Sequence, residues 1–279
     1  MVDGAMLDEA TRVACEAYVG RSRAVEDAMS PVPARRLEAV LDREPSAADG
    51  DPLPPTWHWA YFADEVRQSD IGADGHERLG LFLPPGPFPR RMWAASEVAI
   101  RAPLVLGEPA RRVSTIRAVE FKSGRSGDLC FLRIGHEFHQ RGAVRVEEAQ
   151  TVVYRDRGLP EAALRAPGDP VPEGFFVHDD MQLFRYSAVT HNGHRIHWDR
   201  AFCREVEGYP DLVVHGPLLA THLAEALRAG REAWPTRFAF RAVAPVFVTT
   251  PIRVEAGGGA GRILRSDGRK ATVAEMAWD

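Results

Sequence analysis

The sequence predicts an α+β fold in two halves, each an antiparallel sheet laid against one helix. Three observations carry this. Four strand-like runs with short connections occupy residues 92–154, a helix followed by four shorter strand-like runs occupies residues 216–278, and a polar, proline-bearing stretch at 167–172 stands between the two sets.

Residues 7–29 interleave Ala, Glu and Arg and read as helical, with Pro31-Val32-Pro33 stopping that helix before a second short one at 34–41. Residues 46–55 and 83–89 are proline-rich connections. The runs 92–100, 111–121, 129–138 and 144–154 are rich in β-branched and aromatic residues. They are broken by Gly107-Glu108-Pro109, Ser123-Gly124-Arg125-Ser126-Gly127 and Gln140-Arg141-Gly142, which predicts a four-stranded antiparallel meander. The first half's central helix falls either within 10–29 or near Pro55, where Trp57-His58-Trp59-Ala60-Tyr61-Phe62 reads as core packing or, alternatively, as the wall of an acyl pocket. In the second half, 181–189 alternates as a strand does. Leu218, Leu219, His222, Leu223, Ala226 and Leu227 recur at helical spacing behind Gly216-Pro217, and 237–243, 252–256, 262–265 and 271–278 read as strands. The predicted units are therefore 1–166, non-catalytic, and 173–279, carrying the chemistry; the alternative is a single α+β domain with a helical N-terminal extension.

Composition excludes several classes. With 45% hydrophobic and 27% charged residues the chain is a globular protein, and its net charge of −4 with dispersed basic residues leaves no nucleic-acid footprint. No apolar run approaches the ~18 residues of a membrane span, and no charged-then-apolar leader opens the chain, so a cytoplasmic location is expected. Cys15, Cys130 and Cys203 lie far apart, as expected of reduced, incidental thiols.

The chemistry concentrates between Ser187 and Leu223. Thr190-His191-Asn192-Gly193-His194-Arg195-Ile196-His197-Trp198-Asp199 is too polar for a core, and Leu212-Val213-Val214 leads into His215-Gly216-Pro217. A helix opening at Gly216 presents backbone NH groups without intrahelical partners and a dipole that favours developing negative charge, as in an oxyanion hole. Alternatively, Gly-Pro only sets the entry angle of a buried helix. His191, His194 and His197 lack metal-ligand spacing, since Asn192-Gly193 resists a helix, and no Cys-x-x-Cys or His-Glu-x-x-His occurs. Neither a metal nor another cofactor is expected.

Asn192 to His197, followed by Val206-Glu207-Gly208-Tyr209-Pro210-Asp211-Leu212-Val213-Val214-His215-Gly216-Pro217, resembles the MaoC-like hydratases and dehydratases, in which Asp-x-Asn-Pro-apolar-His precedes His-Gly at the central helix. It resembles most the branch of mesaconyl-C4-CoA hydratases and mitochondrial 3-hydroxyacyl-thioester dehydratases, as do Leu83-Pro84-Pro85, Arg90-Arg91-Met92-Trp93-Ala94 and Gly124-Arg125-Ser126-Gly127. The resemblance implies a double hot-dog fold and puts Asn192 in the acid's place and His197 in the catalytic histidine's. Hydration of an α,β-unsaturated acyl-CoA thioester is the expected reaction, on mesaconyl-C4-CoA or a similar short branched dicarboxylic ester. His197 is its acid/base, Asn192 the positioner and Gly216 the oxyanion donor, with Arg195, His194 and His215 binding substrate. Arg195 and His194 have an alternative role as structural partners of loop carbonyls and acids. Should a carboxylate take part, Asp199 and Glu205 are nearest in sequence. Coenzyme A thioesters and a second copy in a homodimer are the expected partners. A carrier-protein dehydratase, an acyl-CoA thioesterase and a non-catalytic thioester-binding module are the alternatives.

Overall fold

The four long runs of the first half form strands β2 (Arg90–Ile100), β3 (Ala110–Gly124), β4 (Gly127–Gln140) and β5 (Ala143–Arg155) of the computed structural model, which describes residues 9–124, 127–155 and 169–278. Only β3, β4 and β5 make the expected meander. Strand β2 crosses to the far side and pairs with β5, because its other edge is taken by the second half. That half supplies β6 (Arg237–Ala242), β7 (Ile252–Gly257), β8 (Ala260–Arg265) and β9 (Lys270–Ala277). With β1 (Ser22–Asp27) the result is one antiparallel nine-stranded sheet, in the order β1-β3-β4-β5-β2-β6-β9-β8-β7, joined across the halves by the register Ala95↔Arg241 to Ala99↔Arg237. A shared sheet leaves no open edge at that seam.

The long N-terminal helix expected at 7–29 is not formed. Helix α1 covers Glu9–Glu16, the chain turns at Gly20 in the left-handed region, and β1 (Ser22–Asp27) follows with alternating burial against β3. Alternation along Ser-Arg-Ala-Val-Glu-Asp outweighs the helix propensity of its Ala, Arg and Glu. Pro31-Val32-Pro33 starts a helix instead of stopping one. Ser30 caps α2 (Pro31–Val40) by accepting from Val32 N, and a proline's missing NH costs nothing in a first turn. The 181–189 run is likewise a helix, α3 (Asp180–Val189). Asp179 accepts from Gln182 N at 2.7 Å, and Leu183, Tyr186 and Ser187 are buried at helical spacing while Met181 and Phe184 face outward.

Helix α4 (Gly216–Arg228) forms where expected, with Leu218, Leu219, Leu223 and Leu227 buried against β6 to β9. Among the described residues the first half has no equivalent. Its inner sheet face is covered by the single 3-10 turn Trp57–Ala60 and by α2. Of the aromatic cluster, Trp57, Tyr61 and Phe62 are core residues, with Phe62 and Phe138 rings 5.2 Å apart, which bears out packing over pocket-lining for most of it. Of the predicted linker between 166 and 173, residues 167 and 168 lie outside those described, as do Arg125 and Ser126.

A polar node fastens the turn to the sheet. Buried Glu148 of β5 accepts from Trp59 Nε1 at 3.0 Å and Ser96 Oγ at 2.6 Å and lies 3.0 Å from His58 Nε2. These partners outweigh burial and hold its carboxyl down at about 2. Glu148→Leu strands three buried donors, and urea unfolding should show a loss of about 3 kcal/mol or more.

Candidate active site

After α3 the chain turns at His191, which has positive φ, and Asn192 folds back so that its Oδ1 accepts from His194 N at 3.0 Å. A 3-10 turn, Arg195–His197, then delivers His197. Val213 N bonds Ile196 O at 2.9 Å, and His197 Nδ1 donates to Val213 O at 2.7 Å. That bond fixes the tautomer: Nδ1 carries the hydrogen and Nε2 keeps its lone pair.

His197, His194, Asn192 and Gly216 line one cavity of about 460 Å³. The first turn of α4 therefore opens beside the His197 ring. A Cβ built on Gly216 would approach nothing closer than Trp93 O at 3.8 Å, so contact does not force glycine here; the relevant property is the amide of the helix's first turn.

Within the loop judged too polar for a core, His194, Ile196 and His197 are nonetheless buried, while His191, Gly193 and Trp198 are exposed. His197 is 7% exposed, His194 8% and His215 none. Burial pushes the His197 pKa down to about 4, and drives His194 and His215 well below the ordinary range, with neighbouring imidazoles adding to the effect. The ring is thus neutral at physiological pH and able to accept a proton.

Two residues expected to touch substrate are engaged by protein groups. His215 lies behind His197, its ring stacked 3.7 Å away and its Nε2 2.8 Å from Ser187 Oγ. Arg195 lines an adjoining cavity that shares Asn192, His76 and Arg91 with this one. Its guanidinium donates to Asp199 and to Ala73 O and lies over the Phe202 ring, which is the structural alternative. Asp199 also caps the following turn through Phe202 N, and Glu205 is exposed, so neither carboxylate reaches the cavity wall.

A second loop was missed. Asp74-Gly75-His76 repeats Asn192-Gly193-His194: Asp74 Oδ1 accepts from His76 N at 3.1 Å just as Asn192 does from His194. The turns meet face to face, with Arg195 N bonded to Asp74 O at 2.9 Å and the His76 and His194 rings 4.3 Å apart. Gly75 has φ +89° and a Cβ there would stand 2.0 Å from Gly193 O, so only glycine fits. The short Asx-Gly-His repeat was the available signal. Asp74, His76 and His194 have ligand atoms within 4.8 Å of one another, a spacing that suits a cation, but Asp74 already serves His76 N, His76 Nδ1 and Arg91 Nη2.

The model of one protein family, hydroxyacyl-thioester dehydratase type 2, matches residues 56–248. The chain belongs to that family. It is 42% identical over 269 residues to the mesaconyl-C(4)-CoA hydratase of Chloroflexus aurantiacus, covering 94% of this chain and 95% of that one. It is 27% identical to the mitochondrial hydroxyacyl-thioester dehydratase type 2 of Schizosaccharomyces pombe, over 82% of this chain and 88% of that one. Among solved structures, a MaoC-like dehydratase from Phytophthora capsici superposes with TM-score 0.64 at 14% identity, over 95% and 97% of the two chains. A Mycobacterium tuberculosis protein described as a double hot-dog superposes with TM-score 0.57 at 11% identity, over 92% and 95%. The α+β double hot-dog expectation holds. Family membership makes the protein a hydro-lyase acting on acyl thioesters. No helix among the described residues is long and apolar enough to cross a membrane.

Two outcomes follow from this geometry. The kcat/KM for hydration should fall as pH drops through about 4, where His197 takes up a proton, and not near 6.5; a pH profile with circular dichroism controls checks this. Gly75→Ala should wedge the two turns apart, costing about 1–3 kcal/mol in chemical denaturation.

Proposed function

We propose that the protein adds water reversibly across the double bond of mesaconyl-C4-CoA, with His197 as its single acid/base. The observation that carries this reading is the tautomer of His197, which turns an unprotonated Nε2 to the cavity that also receives the start of α4. The 42% relative of nearly equal length supports the choice of acyl group.

In this mechanism Nε2 takes a proton from water while the oxygen bonds to Cβ. The π electrons move onto the thioester, whose oxygen gains enolate charge and is held by the Gly216 amide at the positive end of α4. The imidazolium then returns a proton to Cα, restoring the neutral ring. Asn192, which has no useful proton chemistry, positions the water. His215 and Ser187 support the ring from behind. Buried, the base is a weak one, so the reaction relies on placement and on the amide as much as on basicity.

Mutation of His197→Ala should lower hydration, followed by loss of enoyl-thioester absorbance, on the order of 10²–10⁴-fold. Unchanged turnover would defeat the hydratase assignment, and release of free thiol would point to a thioesterase.

A further inference from the structure

We propose that Arg91 anchors a carboxylate of the acyl group, so that the cavity selects enoyl-CoA esters carrying a carboxylate on the carbon that receives the hydroxyl. The proposal rests on the hydratase reading and identifies the residue that sets its substrate class.

The cavity wall contains Arg23, Arg90, Arg91, Arg112 and Arg155 against one carboxylate, Asp64. Its histidines add no charge, since those with depressed pKa values are neutral at physiological pH. Such a wall favours an anion over a hydrocarbon chain. The polar lining continues onto the first half's sheet, where Ser114 Oγ lies 2.8 Å from His136 Nδ1 and Gln150 Oε1 lies 3.1 Å from His136 Nε2.

Three of the other four arginines are already engaged by protein groups, and Arg155 pairs with Arg90, one register step farther from Trp93 than Arg91 is. Arg23 and Arg112 both hold Asp64, and Arg23 also holds Glu77. Arg90 bonds the Glu207 carbonyl and lies over the Tyr209 ring, and Arg155 stands opposite it in the β2–β5 register. Arg91 is on the histidine side: its charge helps to depress protonation of both His76 and His194. Asp74 engages one of its terminal nitrogens at 3.2 Å, and its side chain is only 13% exposed. A guanidinium has five donors in a planar fork, so this anchorage orients it while others remain for a ligand.

The span fits. Trp93, whose carbonyl faces Gly216, is two residues along the same strand from Arg91, or about 7 Å. In a four-carbon dicarboxylic ester the carboxyl carbon is three bonds from the thioester carbon. Gly216, His197 and Arg91 line the same cavity, so an ester with its carbonyl at the Gly216 amide has both the His197 ring and the Arg91 fork within its own chamber. A neutral ester of the same shape leaves a half-buried guanidinium short of a partner, which is how a polar site rejects an isostere.

Two isosteric pairs test this. Fumaryl-CoA and crotonyl-CoA exchange carboxylate for methyl on the reacting carbon; succinyl-CoA and butyryl-CoA do so without a double bond and report binding alone. The wild type should bind succinyl-CoA about tenfold or more tighter than butyryl-CoA by calorimetry, and Arg91→Met should bring that ratio close to one. The fumaryl-to-crotonyl ratio of kcat/KM should fall about a hundredfold in the same variant and less in Arg91→Lys, which keeps the charge but not the fork. Equal losses on both members of a pair, or a wild-type preference for the methyl compounds, overturns the proposal. Absence of turnover on any enoyl ester, with the succinyl preference intact, instead overturns the hydratase reading.

Discussion

The hydrogen bond from His197 Nδ1 to the Val213 carbonyl decides which nitrogen of a buried ring meets the cavity, and the rest of the site is organised around it. Val213 can serve because Val213 N is itself bonded to Ile196 O, just ahead of the ring, while Val214 N is bonded to Val246 O. The acceptor is thus held by two neighbouring segments of the second half. Two residues further on the chain enters α4, so the same short stretch sets both the imidazole and the helix amides. The His197 ring and the first amides of α4 are coupled through a few peptide units, which limits their relative drift without needing a rigid molecule elsewhere.

The halves divide the labour unequally. The second half keeps a full central helix together with His197 and Gly216. The first replaces its helix with one 3-10 turn and a charged node at Glu148, leaving room above its sheet for cavity polar groups such as Ser114, His136 and Gln150. It also contributes the Asp74-Gly75-His76 turn and Arg91. The first half thus sets much of the charge around the cavity that His197 lines.

Much of this was legible. The four long strands, the shorter strands after α4 and the start of that helix follow from two-residue and 3.6-residue periodicities, which burial enforces locally. Residues 181–189 misled because MQLFRYSAV satisfies both periods loosely. The deciding signal was the cap, Asp179, just ahead of the apolar pattern. Strand order was not legible at all: β2 lies beside β5 and β6 because of contacts more than forty residues away in sequence. In the site, His197, Asn192, His194 and Gly216 converge as their motif implied, whereas Arg195 and His215 turned out to be braces. Their type suggested binding, but Asp199 and Ser187 were close enough to engage them first. His76 was hidden because a lone Asp-Gly-His in a loop has no periodic partner, and only its likeness to Asn-Gly-His marks it.

The stacked rings of His197 and His215 act as a single-occupancy turnstile for positive charge. At 3.7 Å and out of contact with bulk water, protonating one ring opposes protonating the other, and His215 offers its neighbour a flat face, not a lone pair. Positive charge on His197 therefore has no second imidazole behind it to share the load.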